Sequence, residues 1–295
     1  MVGEGREFHA GYREQDMRFS NQTIPDDLLA KAPRVNLSRR EIIRGLAVGS
    51  VVPIVSGCVT NSETGRSQLL LVDEATIASM ATSAWTEMKQ QTPVSRNSSL
   101  NTRVNRVWNK IAVGAGRGDQ QFDVQVFDTD DVNAFVMPGN RVGVYRGITE
   151  LVENDDQLAS VLGHEVGHVN GNHASESYSH QMLAQAGLAI GAVAIGTSDE
   201  LKKYGNEALL LGSMVVQFGV ILPYGRKHEL EADKLGVDYM HKVGYRVSEA
   251  PKLWDLMGKK SSGNRQPEFL STHPSPERRA SELRDYINRR GYDIV

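Results

Sequence analysis

The sequence contains very little cysteine: Cys58 is the single one among 295 residues. One thiol excludes an intramolecular disulfide framework and a cysteine-based zinc finger. No charge sign dominates either, since 33 Lys and Arg stand against 36 Asp and Glu, for a net charge of −3. Because this balance provides no basic field for nucleic acid, we expect no nucleic-acid partner. Any metal must then be bound by histidine and carboxylate side chains.

Long hydrophobic runs are also missing near the N-terminus. The apolar stretch at residues 45–56 is well short of the roughly 20 residues of a membrane-spanning helix. It follows Arg39 and Arg40, which resemble a twin-arginine export signal, and it ends in Val55-Ser56-Gly57-Cys58, which resembles a bacterial lipobox. The lipobox implies cleavage before Cys58 and lipidation of its thiol. The alternative is a buried helix with Cys58 as a small core residue.

These signals predict three segments. Residues 1–57 are an export signal region, with Met17 as an alternative start, residues 58–72 are a polar tether, and residues 73–295 are one folded domain. We therefore expect a protein of the bacterial cell envelope that faces the periplasm and is anchored to the membrane by a lipid.

The apolar periodicity of the folded domain predicts an α+β fold that is predominantly α. Helical spacing covers 73–90 and 101–115, whereas 122–127, 134–137 and 142–145 alternate as strands, the last two joined by Pro138-Gly139-Asn140. We expect these strands to form a small antiparallel sheet. The rest predicts helices near 155–175, 181–196, 205–222, 226–244, 248–260 and 276–290. The apolar stretches at 183–195 and 209–222 fit core helices, with a membrane-dipping hairpin as the alternative.

One helix carries a metal-binding pattern. His164 and His168 are four residues apart, so both imidazoles project from one helical face and can share a zinc ion. Glu165 lies about 100° round the helix, where it can take a proton from a water molecule activated by the metal. The alternative is a pair of solvated histidines.

A catalytic zinc needs a third protein ligand. His173 stands one residue short of the position that a metzincin motif requires, and on a continuous helix it turns away, so we set it aside. The better candidates are Glu229 and Asp233, an i, i+4 pair in which one carboxylate can bind zinc while the other orients a ligand imidazole. The alternative for this acidic run is a solvated helix face.

Five motifs in order resemble the HtpX-like and CAAX prenyl protease type zinc endopeptidases, the metallopeptidase family numbered forty-eight. They are Asn133 to Gly139, Asp155 to Ala159, Gly163 to His168, Glu229 to Asp233, and Thr272-His273-Pro274 with Arg279. The resemblance implies a zincin-like domain with one zinc ion on His164, His168 and Glu229, Glu165 as general base, and Asp233 behind a ligand.

The resemblance also implies roles outside the ligand set. The strand Val142, Gly143, Val144 and Tyr145 would be an exposed edge that receives an extended substrate. His273 and Arg279 would donate to the oxyanion of the transition state. Alternatively, His273 occupies the open zinc position and keeps the site latent until substrate displaces it. The other histidines, His173, His180, His228 and His241, are expected at the surface or behind ligands.

The expected function is zinc-dependent hydrolysis of peptide bonds in misfolded envelope proteins, with polypeptides and the membrane as partners. The alternative is a lipid-anchored chaperone or scaffold without enzymatic activity, in which zinc only braces the helices and four protein ligands close the site.

Overall fold

The computed structural model describes residues 58–184, 222–261, 269–270, 273 and 276–292. The predicted export signal region and most of the two apolar stretches lie outside these residues. Within the described part, no helix is long and apolar enough to cross a bilayer.

Helices make up most of the described chain. In chain order the elements are β1 (Cys58–Thr60), β2 (Ser67–Leu69), α1 (Glu74–Gln91), α2 (Ser98–Gly114), β3 (Asp123–Phe127), β4 (Ala134–Met137), β5 (Arg141–Tyr145), α3 (Arg146–Leu151), α4 (Asp155–Asn170), α5 (residues 173–184), α6 (Leu222–Lys242), α7 (Glu249–Ser261) and α8 (Pro276–Arg290). The expected α+β class with predominant helix is confirmed.

Local capping explains where the long helices begin. Asp73, Asn97 and Asn154 each precede a helix, and each side-chain oxygen accepts a hydrogen bond from the backbone N–H three residues on, at 2.7, 3.1 and 2.9 Å. These bonds satisfy donors that the first helical turn leaves unpaired. Asp155 and Asp156 then place negative charge at the N-terminus of α4, where the helix dipole favours it.

Helix α4 lies at the centre of the fold. Every residue from Gln157 to Gly167 is buried, and the helix packs against α2, α6, α7 and β4. The surrounding core is apolar and includes Trp108, Leu162 and Trp254. Because α4 carries His164, Glu165 and His168, the metal-binding pattern sits inside the protein and not on an exposed helix.

The sheet differs from the expected antiparallel arrangement. Its strand order is β3-β5-β4, with β5 parallel to β3 and antiparallel to β4. The predicted hairpin between β4 and β5 is confirmed, and its turn uses positive φ angles at Gly139 (85°) and Asn140 (61°), which these residue types tolerate. The sheet is therefore mixed.

This strand order corrects the expectation that Val142 to Tyr145 form an exposed edge. They lie in β5, the central strand, whose main chain pairs on both sides, and Val142 and Val144 are fully buried. The outer side of β3 is partly covered, because Phe127 forms an antiparallel bridge with Val94. Among the described strands, β4 keeps an unpaired side.

Residues 58–69 also differ from the expectation. A flexible tether was predicted, yet β1 and β2 form an antiparallel hairpin in which Asn61 and Gln68 are buried. The Asn61 amide donates to the carbonyl of Asn170 at 2.8 Å, and the Gln68 amide donates to that of Gly171 at 2.5 Å. The hairpin therefore covers the C-terminal end of α4, and the tether prediction is wrong for these residues.

The predicted helix over 155–175 is interrupted. Helix α4 ends at Asn170, and Asn172 adopts a left-handed conformation with φ of 54° before helix α5 begins. Asparagine is among the few residues that accept this conformation. After this turn, Nδ1 of His173 lies 2.9 Å from Nδ1 of His168 in α4.

Candidate metal centre

Small residues bring α4 and α6 into close contact. A Cβ atom on Gly163 would lie 3.1 Å from the carbonyl oxygen of Gly236, and one on Gly167 would lie 2.7 Å from that of Ala232. Larger side chains at these positions would hold the helices apart. The close approach allows α6 to present Glu229 to the two histidines of α4.

Four side chains converge between these helices. His164, His168, Glu229 and His273 each offer one ligand atom, and these atoms all lie within 4.8 Å of one another. Nε2 of His168 is 3.0 Å from Nε2 of His164 and 3.3 Å from Oε1 of Glu229. Within the described residues, this is the one such group of potential metal ligands. The structure thus brings together the three predicted zinc ligands and His273.

Asp233 lies behind His164. Its Oδ1 is 2.9 Å from Nδ1 of His164, so a protonated Nδ1 donates to the carboxylate and Nε2 is left for a metal. Burial alone would disfavour ionisation of Asp233, but the charge and hydrogen bonds of Arg279 and the bond from His164 hold its pKa below the ordinary value. The pair is placed as the prediction for Asp233 requires.

The guanidinium of Arg279 contacts two carboxylates of the site. Its Nε and Nη2 donate to both oxygens of Asp233 at 2.7 and 2.6 Å, and Nη1 lies 2.9 Å from Glu229 Oε2. The side chain is 2% exposed, and its guanidinium carbon lies 3.5 Å from the ring centroid of Trp254. Arg279 therefore holds Asp233, which lies behind His164, and also contacts Glu229, a predicted ligand. Its role as an oxyanion donor stays a prediction.

Glu165 is buried beside the ligand cluster. Burial raises its pKa to about 7, and a backbone hydrogen bond from Val136 in β4 acts in the opposite direction. Its Oε1 has no hydrogen-bond partner in the described structure, and Nε2 of His273 lies 3.5 Å from that oxygen. A buried carboxylate oxygen without a partner is costly unless a ligand or a proton satisfies it.

His273 approaches the cluster from a different segment. Its Nδ1 lies 2.8 Å from Oε2 of Glu229 and 3.1 Å from Nε2 of His164. Burial lowers its pKa to about 4, so the imidazole is neutral at neutral pH and can bind a metal. The same placement puts its other nitrogen close to Glu165.

His173 lies behind His168, one of the two places expected for it, although the sequence did not indicate which residue it would contact. Nδ1 of His173 lies 2.9 Å from Nδ1 of His168, and Nε2 of His173 lies 3.1 Å from Oε2 of Glu231. Burial lowers the pKa of His173 to about 3. The turn at Asn172 produces this contact, and the one available sequence signal was an asparagine that can end a helix by adopting a left-handed conformation.

The residues fit zinc by their chemistry. Imidazole nitrogens and a carboxylate oxygen are common zinc ligands, and both ligand histidines of α4 have hydrogen-bond partners that leave Nε2 free of a proton. Burial disfavours ionisation of Glu229, but hydrogen bonds from His164, His168 and His273 hold its pKa well below the ordinary value. Glu229 is therefore ionised, as a divalent cation requires of a carboxylate ligand.

The site has two histidines one helical turn apart, a carboxylate from a second helix and a buried glutamate beside them. This arrangement is typical of metallopeptidase centres. Comparison with known proteins agrees with this class. Residues 98–287 match the sequence profile described as Peptidase family M48. The chain belongs to this family.

Curated relatives carry peptidase names. The chain is 29% identical to the mitochondrial metalloendopeptidase OMA1 of Schizosaccharomyces pombe over 185 residues. This aligned region covers 62% of this chain and 52% of that protein. It is 24% identical over 204 residues to the beta-barrel assembly-enhancing protease of Escherichia coli K12, covering 69% of this chain and 42% of that protein. The chain thus spans about half the length of these relatives, or less.

Proposed function

We propose that this protein is a zinc-dependent endopeptidase in which His164, His168 and Glu229 bind the metal and Glu165 is the general base. Membership of the family supports the peptidase activity, and the convergence of the three predicted ligands supports their assignment. The observation that carries the role of Glu165 is its buried Oε1, which has no partner in the described structure and lies beside the ligands.

The chemistry follows from these positions. When bound, zinc would polarise the scissile carbonyl and lower the pKa of a water molecule, so that this water can lose a proton and attack at neutral pH. Glu165 takes the proton of the attacking water and later gives it to the leaving amine. Asp233 keeps the His164 ring oriented, and Arg279 keeps Asp233 ionised.

The proposed substrate is an extended polypeptide that adds to β4. The outer side of this strand is unpaired within the described sheet, and Val136 in it hydrogen-bonds to Glu165. A peptide bound there by its backbone would lie beside the general base with little demand on its sequence. Such binding suits unfolded chains, so we propose misfolded envelope proteins as substrates.

The cellular location is proposed on the N-terminal signals. Cleavage before Cys58 would leave the lipidated residue as the first residue of β1, in the hairpin that covers the end of α4. The enzyme would then be held at a membrane by its lipid. Labelling with palmitate analogues in the unmodified protein and in Cys58→Ala tests this, and equal labelling of both would refute it.

The position of His273 favours a latent state of the same enzyme. Its Nδ1 lies within 3.1 Å of His164 Nε2 and 2.8 Å of Glu229 Oε2, so it can supply a fourth ligand and exclude substrate. A permanently closed site would instead fit the alternative, a scaffold with structural zinc. Release of cleavage activity when His273 is removed separates the two.

Glu165→Gln tests the central proposal. The amide keeps the size of the side chain but cannot accept the proton, so zinc content should be unchanged while cleavage of an unfolded test protein falls by about a hundredfold or more. Glu150→Gln is the matched control, because Glu150 is exposed and pairs with Arg146 on the surface. Equal cleavage by the unmodified protein and Glu165→Gln would refute the assignment.

A further inference from the structure

The two ligand histidines of α4 are supported from behind in different ways. His164 is backed by Asp233, which Arg279 holds with two hydrogen bonds. The corresponding nitrogen of His168, Nδ1, faces another imidazole, that of His173, at 2.9 Å. Nδ1 of His173 can accept this hydrogen bond only when the proton of its ring is on Nε2. Another group must therefore accept a hydrogen bond from that Nε2.

The tautomers follow from the geometry. Nε2 of His168 faces the ligand cluster, so a metal there requires the His168 proton on Nδ1. That N–H donates to Nδ1 of His173, which places the His173 proton on Nε2, where it donates to Glu231 Oε2 at 3.1 Å. Stacking fixes the plane of the His173 ring, because the ring of His228 lies parallel to it with centroids 4.2 Å apart.

Glu231 in turn is held by an arginine of the N-terminal hairpin. Nε and Nη2 of Arg66 lie 3.1 and 3.0 Å from the two oxygens of Glu231, while Nη1 and Nη2 donate to both oxygens of Glu176 at 2.6 Å each. One guanidinium therefore bridges two carboxylates. Its planar fork of donors reaches both oxygens of each carboxylate, which the single nitrogen of a lysine ammonium cannot do.

The hairpin is fixed to the helix that carries His168. Asn61 donates to the carbonyl of Asn170, the last residue of α4, and Gln68 donates to that of Gly171, which caps the helix. Gln68 also donates to Glu176 at 2.8 Å. Arg66 stands between these two residues, and its side chain is 13% exposed. The backbone around Arg66 is thus fixed by Asn61 before it and Gln68 after it, and the guanidinium is largely buried.

We propose that Arg66 is a positioning residue for the metal centre: through Glu231 and His173 it fixes the tautomer and orientation of the ligand His168. This inference rests on the proposed metal site, because it needs His168 as a ligand. It adds a contribution from outside the segment that matches the family profile, which begins at residue 98. Each ligand histidine of α4 would then have its own group of supporting residues. Asp233 and Arg279 support His164, and His173, Glu231 and Arg66 support His168.

The test compares Arg66→Ala, Arg66→Lys and Arg117→Ala in the full chain. Arg117 is the matched control because it also donates to the end of α4, at Asn170 Oδ1 (2.6 Å). Within the part of the chain that the structure describes, its side-chain hydrogen bonds go to Asn170 and Gln120 and do not involve Arg66, Glu231 or His173. Zinc affinity is measured by competition with a chromophoric chelator. The visible absorption of the Co²⁺-substituted protein reports the geometry of the ligands without any substrate.

We expect Arg66→Ala to weaken zinc binding by about ten- to a hundredfold, as loss of other groups behind ligand histidines does, and to shift the Co²⁺ spectrum. Arg66→Lys should fail to restore either property, and Arg117→Ala should behave like the unmodified protein. Unchanged affinity and spectrum in folded Arg66→Ala would overturn the proposal. Equal losses in Arg66→Ala and Arg117→Ala would also overturn it, since they would indicate general loosening of the helix end.

Two further measurements keep the result clear. If Arg66→Ala does not fold, Glu231→Gln takes its place, because it keeps the size of the side chain and removes the charge that binds Arg66; an unchanged Co²⁺ spectrum in that variant would overturn the proposal. His164→Ala identifies failure of the proposed function itself: if it binds zinc as tightly as the unmodified protein, the metal lies elsewhere and the whole site is wrong.

Discussion

The close contact between α4 and α6 leads to a quantitative prediction for Gly167→Ala. The new Cβ would lie 2.7 Å from the carbonyl oxygen of Ala232 and 3.0 Å from its Cα. Both are backbone atoms, so no side chain can rotate away. Ordinary contact begins at 3.4 Å, and the two helices must therefore separate by about 0.7 Å, the difference between 3.4 and 2.7 Å, to relieve the overlap.

A shift of this size is large for a metal centre. Glu229 lies one turn before Ala232 on α6, and it must meet the histidines of α4 within about 0.2 Å of ideal metal–ligand distances. We expect Gly167→Ala to weaken zinc binding by about ten- to a hundredfold. The free energy of unfolding of the metal-free protein should change by a smaller amount than the free energy of zinc binding. Overpacking lowers it by about 1–3 kcal/mol, and the better helix propensity of alanine restores about 1 kcal/mol.

Chelator competition measures the zinc affinity, and urea unfolding of the metal-free protein measures the free energy of unfolding. Gly225→Ala is the matched control, because it lies on the same helix α6 and a Cβ there meets nothing within 4 Å. The control should keep the zinc affinity of the unmodified protein. The reasoning is refuted if Gly167→Ala binds zinc as tightly as Gly225→Ala.

Three other predictions concern single side chains. His273→Ala should raise the rate at which an unfolded protein is cleaved, because the fourth ligand is removed; a lower rate would instead support an oxyanion role. Arg279→Ala should destabilise the metal-free protein by about 3–5 kcal/mol, because Asp233 stays buried without a counter-charge; urea unfolding measures this loss, and a loss under about 1 kcal/mol would contradict it. Burial acts against ionisation of Glu249, but hydrogen bonds from Lys252 and two amides lower its pKa from 4.5 to about 2. Its contribution to stability is thus present above pH 4.5 and is lost as the pH falls towards 2; Glu249→Gln should flatten this part of the stability profile of the metal-free protein, and an unchanged slope would count against it.

The central helix and the ligand positions could be predicted from the sequence, because they depend on the spacing of residues within single helices. The spacing of His164 and His168 and the acidic start of α4 depend on one helix alone, and the predicted helix is there. Glu229 and Asp233 follow the same rule on α6, and both lie against the histidines. In each case the geometry is determined within a few residues of the motif.

The errors arose where the geometry depends on distant parts of the chain. Alternating residues predict a strand but not its neighbours, so β5 was taken for an edge although β3 pairs with it in parallel. The expectation that His173 lies at the surface or behind a ligand left its partner open, because its contact with His168 depends on a single left-handed residue, Asn172. Residues 58–72 were read as a polar tether, yet several side chains of residues 61–68 bind Asn170, Gly171 and Glu176.

The hairpin has a practical consequence for work on related chains. A truncated protein that starts where the family match begins, at residue 98, would lack Asn61, Arg66 and Gln68 and would expose the carbonyls and carboxylates that they satisfy. Such a fragment would be expected to purify poorly or with little metal, and a poor yield could be mistaken for an inactive enzyme. Expression boundaries chosen from the family match alone would thus remove the hairpin, whose side chains satisfy polar groups within the matched segment.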